Sequence, residues 1–172
     1  MTSRPLRLAR QMLLRRDPIP AARKLGVRVG DRCRFIATST TTFGSEPYLV
    51  SIGDHVTITE GVRFVTHDGG VWVLRDDYPD LDIIAPISVG NNVFIGMSSL
   101  ILPGVHIGNN VVIAAGSLVT RDIPSDSVAA GIPAHAIKSL AEYRRSSLER
   151  GLPTKRLDPE GKKSYLIEHF RL

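Results

Sequence analysis

The sequence predicts an all-β solenoid, a parallel β-helix whose short strands stack coil upon coil. Three observations predict it. From Val89 to Pro124 an aliphatic residue returns at every sixth position, at Val89, Ile95, Ile101, Ile107, Ile113 and Val119. Six is a multiple of the strand period of two, so these side chains all face one way on extended backbone, whereas a helical stripe with a period of about 3.6 would drift round the chain. The fifth place of each hexad is small or branched as well, reading Val93, Ser99, Val105, Val111, Ser117 and Ile123, which gives each strand a second inward position. The same register recurs upstream at Ile52, Ile58 and Phe64, and more loosely from Val29 through GDRCRF to Tyr48, Leu49 and Val50. No single hexad can bury its apolar side alone, so neighbouring coils must supply the core. About four to five coils are expected, stacked roughly 4.8 Å apart.

Composition sets the outer bounds. A chain of 172 residues with 42% hydrophobic and 23% charged content is globular rather than disordered. Its one cysteine, Cys33, cannot form an internal disulfide and occupies the fifth place of the hexad VGDRCR, where a small buried thiol fits. A reducing, cytoplasmic setting is expected. No apolar run approaches the roughly 18 residues of a membrane span, and the N-terminal stretch lacks a continuous apolar segment ahead of a cleavage site. The net charge of +5 is unevenly distributed: residues 1–34 carry +8, residues 35–136 carry −7 and residues 137–172 carry +4.

The basic N-terminal segment, Ser3 to Arg16, reads as a short helix with Leu6, Ala9, Met12 and Leu13 along one side, ended by Pro18. Its expected role is to cap the exposed end of the solenoid. Peripheral attachment to an anionic membrane surface is the alternative. Nucleic acid is not an expected partner, because no recognition-helix pattern or stacking aromatic cluster accompanies the arginines.

One interruption breaks the hexads, THDGGVWVLRDDYPDLDIIAPIS between Phe64 and Val89. A solenoid accepts an insertion only where it leaves the wall as a loop, and such loops form binding surfaces. His67 stands at its root, Gly69 and Gly70 follow, and Trp72 and Tyr78 supply aromatic faces for stacking on a sugar or packing against a neighbouring subunit.

The segment IGNNVVIAAGSLVTRDIPSDSVAAGIPAHAIK resembles the end of a hexapeptide-repeat acyltransferase, and the likeness runs from about Val27 to Ile137. Within that superfamily, FGSEPYLVSIGDHVTITEGVRFVTHDGGVWVLR is most similar to O-acetyltransferases of capsule, exopolysaccharide and lipopolysaccharide sugars and to their galactoside and serine acetyltransferase relatives. The resemblance implies a left-handed β-helix, homotrimeric assembly, acetyl-CoA as co-substrate and a saccharide hydroxyl as acceptor. Handedness comes from the family alone, since parallel crossovers in general are right-handed. Three regions follow: an N-terminal basic helix and cap over 1–26, the β-helix over 27–136 with its loop at 67–87, and a C-terminal helix and tail over 137–172.

The resemblance also assigns roles. His67 matches the general base, which would take the proton of the attacking hydroxyl and return it to the departing thiolate. Gly96 and Met97 would flank the thioester, and Met97, standing where several sugar acetyltransferases have serine, would offer its backbone N–H to the oxyanion, helped by Ser98. Ala114 and Ala115 would bond the pantetheine arm, while Thr120, Arg121 and Lys138 would meet the adenosine phosphates. Glu46, Glu60, Asp68 and Trp72 make up the expected acceptor side. The carboxylate that orients His67 is left open among Glu46, Glu60, Asp68 and Asp82, with Glu46 and Glu60 on coils below the histidine. Pro133 would end the solenoid, with a helix from Ile137 to Arg150 and then a tail bearing an apolar patch at Tyr165, Leu166, Ile167 and Phe170.

Three alternatives are weighed against this reading. N-acetylation of an amino sugar would use the same scaffold and a similar base. A metal enzyme of the γ-class carbonic anhydrase kind needs three histidines on adjacent coils, and no histidine lies between His67 and His106, so no metal is expected. A non-catalytic scaffold would favour outward Thr or Ser ladders, whereas the outward places here include Asn91, Asn92, His106, Asn109 and Asn110.

Overall fold

The computed structural model describes residues 17–39 and 41–172, so the helix expected over Ser3–Arg16 lies outside the described residues. The chain divides into two compact units, Met1–Ala141 and Glu142–Leu172. The first described element of the first unit is helix α1 (Pro18–Lys24), with Pro18 in its first turn. Proline suits the first turn because its missing N–H would have no intrahelical acceptor there. Ala21 and Ala22 turn inward beside Val27, and the Arg23 guanidinium donates to the carbonyls of Val29 and Gly30, which ties α1 to the first strand.

Strands β1 (Arg28–Val29), β2 (Arg34–Phe35), β3 (Val50–Ile52), β4 (Val56–Ile58), β5 (Arg63–Phe64), β6 (Ile87–Val89), β7 (Val93–Ile95), β8 (Leu100–Ile101), β9 (His106–Ile107), β10 (Val111–Ile113) and β11 (Leu118–Val119) follow, then β12 (Ser127–Gly131) and β13 (Ala134–Ser139). They form three sheets, β1-β3-β6-β9, β13-β12-β10-β7-β4-β2 and β11-β8-β5, which the chain visits in rotation from β3 to β11. Every pairing is parallel except that of β12 with β13. Ser88 pairs with His106, Val93 with Val111 and Leu100 with Leu118, a spacing of 18 residues in each sheet. All six residues of the aliphatic sixfold series are buried, and so are all six at the fifth place of the hexads.

One corner of this winding repeats from coil to coil. The backbone N–H groups of Asp31, Asp54, Asn91 and Asn109 donate to the side-chain oxygens of Asp54, Asn91, Asn109 and Ser125 on the next coil. The residue that follows takes positive φ, at Arg32, His55, Asn92, Asn110 and Asp126. The amides of Asn92 and Asn110 then donate to Asn110 and Asp126 at 2.9 Å. Ahead of the Asx residue no side chain fits: a Cβ on Gly53 would stand 2.7 Å from the Gly90 carbonyl oxygen.

Two insertions break the spacing. Phe64 pairs with Ile101, 37 residues on, which places 19 additional residues between β5 and β6. Arg28 pairs with Ser51, 23 residues on, so five additional residues lie between β2 and β3. The first is the loop expected from sequence, and the second passes unnoticed in the hexad pattern.

The expected exit also changes. Residues 134–139 pair with β12 as a hairpin beyond the cis Ile132–Pro133 bond, so the helix expected from Ile137 starts at Leu140 as α2 (Leu140–Arg150). Cys33 is half-buried instead of enclosed, and its Sγ donates to the Gly53 carbonyl at 3.1 Å. In the second unit the tail expected as turns and an apolar patch contains helix α3 (Pro159–Phe170), with Asp158 accepting from the Gly161 N–H and Pro159 in the first turn. Tyr165 and Phe170 pack around His169, at ring separations of 5.8 and 4.8 Å. Among the described residues no helix is long and apolar enough to cross a membrane.

The corner geometry makes a prediction. Gly116 has φ +70 with open space around it, so Gly116→Ala meets only backbone strain of about 1 to 2 kcal/mol. Gly53→Ala forces backbone against backbone, and its urea midpoint is expected to fall further than that of Gly116→Ala. Equal midpoints for the two variants would contradict the close stacking at Gly53.

Candidate active site

The shorter insertion is held by an aromatic anchor. Phe43 is 1% exposed, stacks on Phe64 with centroids 5.6 Å apart and leans against Phe35 at 5.7 Å. The Phe64 N–H donates to the Thr42 carbonyl at 2.7 Å, so the segment lies directly along β5. Gly44 follows with φ +65, and a Cβ there would stand 2.7 Å from the Phe64 carbonyl oxygen. Buried Pro47 then opens a 3-10 turn, Pro47–Leu49. Glu46 is thus fixed between a buried phenylalanine and a buried proline.

The longer insertion begins where β5 leaves its sheet. Val65 donates to the Ile101 carbonyl at 2.8 Å, Thr66 is fully buried, and His67 forms an antiparallel bridge with Ile84. The bonds Asp68 N–H to Ile83 and Ala85 N–H to Thr66, at 2.8 and 3.0 Å, close the loop at its root. The loop itself starts as a 3-10 helix, Gly69–Leu74, whose Gly70 N–H donates to the Asp68 carboxylate at 2.8 Å. Val71 tacks it down, while Trp72 and Tyr78 stand 76% and 62% exposed. The Arg75–Asp82 ion pair, at 3.8 Å with both side chains about half exposed, adds little.

The two insertions meet at one carboxylate. His67 Nδ1 lies 3.1 Å from Glu46 Oε2, and the Thr66 hydroxyl donates to the same oxygen. An ionised carboxylate only accepts, so Nδ1 carries the hydrogen and Nε2 is left as the basic nitrogen. Burial pushes the Glu46 carboxyl up, but the hydrogen bonds from Thr66 and His67, with the charge of a protonated imidazole, outweigh it. The net result lies below the ordinary value of 4.5. His67 opens onto a cleft of about 380 Å³ whose lining includes Asp68, Gly69, Ile83, Pro103 and Thr120.

The structure therefore gathers Glu46, His67, Asp68 and Thr120 from among the residues expected on sequence grounds. Thr120, expected at the adenosine phosphates, lies in the same cleft as His67. Glu60 is exposed and offers only its carbonyl, which accepts from Ser98. Gly96 is buried, and a Cβ on it would stand 2.5 Å from the Ala115 nitrogen, so coil stacking alone requires glycine there. Met97 is 51% exposed and its carbonyl accepts from the Gly116 N–H. Ala114 and Ala115 lie on the adjoining coil, where the Ala114 carbonyl accepts from the hydroxyls of Ser99 and Ser117. Neither this group nor Trp72, exposed Arg121 or half-buried Lys138 lines the His67 cleft. Thr66 is the participant that sequence reasoning missed. Its signal is a polar residue two places after Phe64, on the inward side of the strand, directly before the histidine. Among the described residues no group of three His, Cys, Asp or Glu side chains is placed to hold a metal ion.

Several known proteins resemble the chain. The bacterial transferase hexapeptide (six repeats) family matches residues 86–121. Protein CapG of Staphylococcus aureus is 57% identical over 149 residues, covering 87% of both chains. The galactoside O-acetyltransferase of Escherichia coli K12 is 45% identical over 96 residues, 55% of this chain and 46% of that one, so the match spans less than half of that enzyme. A hexapeptide-repeat containing acetyltransferase of Vibrio cholerae shares 25% identity at a TM-score of 0.62, over 79% of this chain and 87% of that one. The same protein complexed with acetyl coenzyme A shares 24% identity at a TM-score of 0.57, covering 80% and 86%. With its parallel strand pairs in 18-residue register and its relatives, the chain belongs to the hexapeptide-repeat acetyltransferases.

Proposed function

We propose that this protein transfers an acetyl group from acetyl-CoA to a hydroxyl of a saccharide, a surface-polysaccharide sugar or its precursor, with His67 as general base. One observation carries the reading: the Glu46 bond to His67 Nδ1 leaves Nε2 as the basic nitrogen of a histidine that lines a cleft of about 380 Å³. The acceptor O–H gives its proton to Nε2 as its oxygen bonds to the acetyl carbonyl carbon. The tetrahedral intermediate expels coenzyme A as the C–S bond breaks, and the imidazolium returns the proton to the thiolate sulfur. Glu46 stays ionised throughout and steadies the imidazolium. In this reading the Met97 N–H faces the developing oxyanion, and Ala114, Ala115, Arg121 and Lys138 belong to the coenzyme side. Thr120, which shares the His67 cleft, stands where the two substrates meet. Exposed Trp72 offers a face to the sugar.

The same reading takes the three sheets as faces of a left-handed solenoid and the working enzyme as a homotrimer. Support for assembly comes from outward apolar side chains on flat sheet faces, Phe94 at 42% exposure and Leu100 at 38%, beside Met97 at its corner.

Thiol release from acetyl-CoA with pooled sugars, nucleotide sugars and oligosaccharides tests the activity. His67→Ala is expected to lower acceptor-dependent release by about 10² to 10⁴ while leaving the unfolding temperature close to that of the parent. Equal release by parent and variant would reject His67 as base, and release with amino sugars alone would assign N-acetylation instead.

Acid dependence follows from Glu46. Its folded pKa is depressed, so its ionised form stabilises the fold fully above the ordinary 4.5, and that contribution is lost as the pH falls through the lower folded value. Urea midpoints of the parent and Glu46→Gln are expected to differ at neutral pH and to converge in acid; a constant gap would contradict the shift. Phe94→Asp is expected to convert the assembly to monomers by light scattering, and an unchanged mass would remove the sheet face from the interface.

A further inference from the structure

We propose that Thr66 is a positioning residue of this site, its hydroxyl fixing the carboxylate oxygen of Glu46 that holds His67. The inference rests on the acetyl-transfer reading above and adds to it a side chain that touches neither acceptor nor coenzyme.

Thr66 is fully buried, and its backbone is committed elsewhere, because its carbonyl accepts from the Ala85 N–H at the loop root. Valine would fill the same space without a polar atom to satisfy, so a hydroxyl in this place needs an acceptor. It has one in Glu46 Oε2, and His67 Nδ1 approaches the same oxygen at 3.1 Å. Two donors on one carboxylate oxygen hold the terminal torsion of Glu46, which is otherwise broad and soft. Each bond is strongest when the carboxylate is ionised. Gly44 keeps this point open, since a Cβ there would stand 3.1 Å from Thr66 Oγ1. Thr66 is adjacent to His67 in sequence, so base and carboxylate are aligned by the strand that carries the base. Asp68, the neighbouring titratable group at the cleft, is turned to the Gly70 N–H instead.

Removing the hydroxyl frees Glu46 to rotate and raises its pKa toward the ordinary range. The test compares the parent, Thr66→Val, Thr66→Ser, Glu46→Gln and His67→Ala, all as the full chain. Acceptor-dependent thiol release is followed against pH, with acetyl-CoA and the pooled sugars and nucleotide sugars as probes. Thr66→Val is expected to lower kcat and kcat/KM at neutral pH by about tenfold or more, with KM for acetyl-CoA unchanged. Thr66→Ser is expected to restore both. Independently of turnover, imidazole NMR of the unliganded chain is expected to show the low-pH inflection that Glu46 imposes on His67 moving upward in Thr66→Val and disappearing in Glu46→Gln. A Thr66→Val profile and His67 titration like those of the parent would overturn the inference, as would failure of Thr66→Ser to rescue. Loss of release in His67→Ala alongside that result would leave the acetyl-transfer reading standing, whereas full release by His67→Ala would remove the reading itself.

Discussion

The structure depends on a backbone N–H at one corner finding a side-chain oxygen one coil away. Each coil turns there through a residue at positive φ, and the N–H of the residue before it is bonded to the neighbouring coil. Asp54, Asn91, Asn109 and Ser125 supply the missing acceptor to the coil before them. The positions are not interchangeable: the N–H is satisfied only when the coils are in register. A slip of one residue would orphan every donor at the corner and turn the inward aliphatic series outward, so hydrogen bonding and burial enforce the same register. Glycines ahead of the Asx residues let the backbones approach, and the Asn92–Asn110–Asp126 amide ladder closes the outer edge.

Both insertions are grafted onto this register at β5. One leaves after Phe64 and carries His67; the other returns across Phe64 and carries Glu46. The Phe35–Phe43–Phe64 cluster is therefore a core element and also the platform that fixes the spacing between carboxylate and imidazole. A buried aromatic ring brings on the order of 2 to 3 kcal/mol of burial to a segment that has no strand pairing of its own. Phe43 thereby anchors the segment that carries Glu46.

Much of the fold was legible in the sequence, because a six-residue period projects directly onto inward and outward faces. The sixfold aliphatic series and the small fifth places are buried as their spacing implies. His67 and its loop were legible for the opposite reason, as the place where the period fails. Glu46 was one of four acidic candidates, and nothing local separated it from Glu60. The deciding quantity is the five-residue insertion pinned by Phe43, which does not disturb the hexads enough to be noticed. The β12–β13 hairpin and α3 were hidden differently. Ala134–Ser139 has no strand period of its own and pairs only because a turn at Pro133 returns it to β12, while the Asp158–Pro159 start of α3 was a readable cap read as a turn.

The loop and His67 share an anchoring point, the bridge between His67 and Ile84 with the flanking bonds of Asp68 to Ile83 and Ala85 to Thr66. Everything between those ends hangs outside the three sheets, apart from the tack at Val71. Segments closed at their base in this way can be lengthened, shortened or replaced at low entropic cost, because closure depends only weakly on length. In this scaffold the setting of the imidazole and the identity of whatever lies against the loop can therefore be inherited separately, one fixed where the loop is rooted on the sheets and the other carried by a removable cassette.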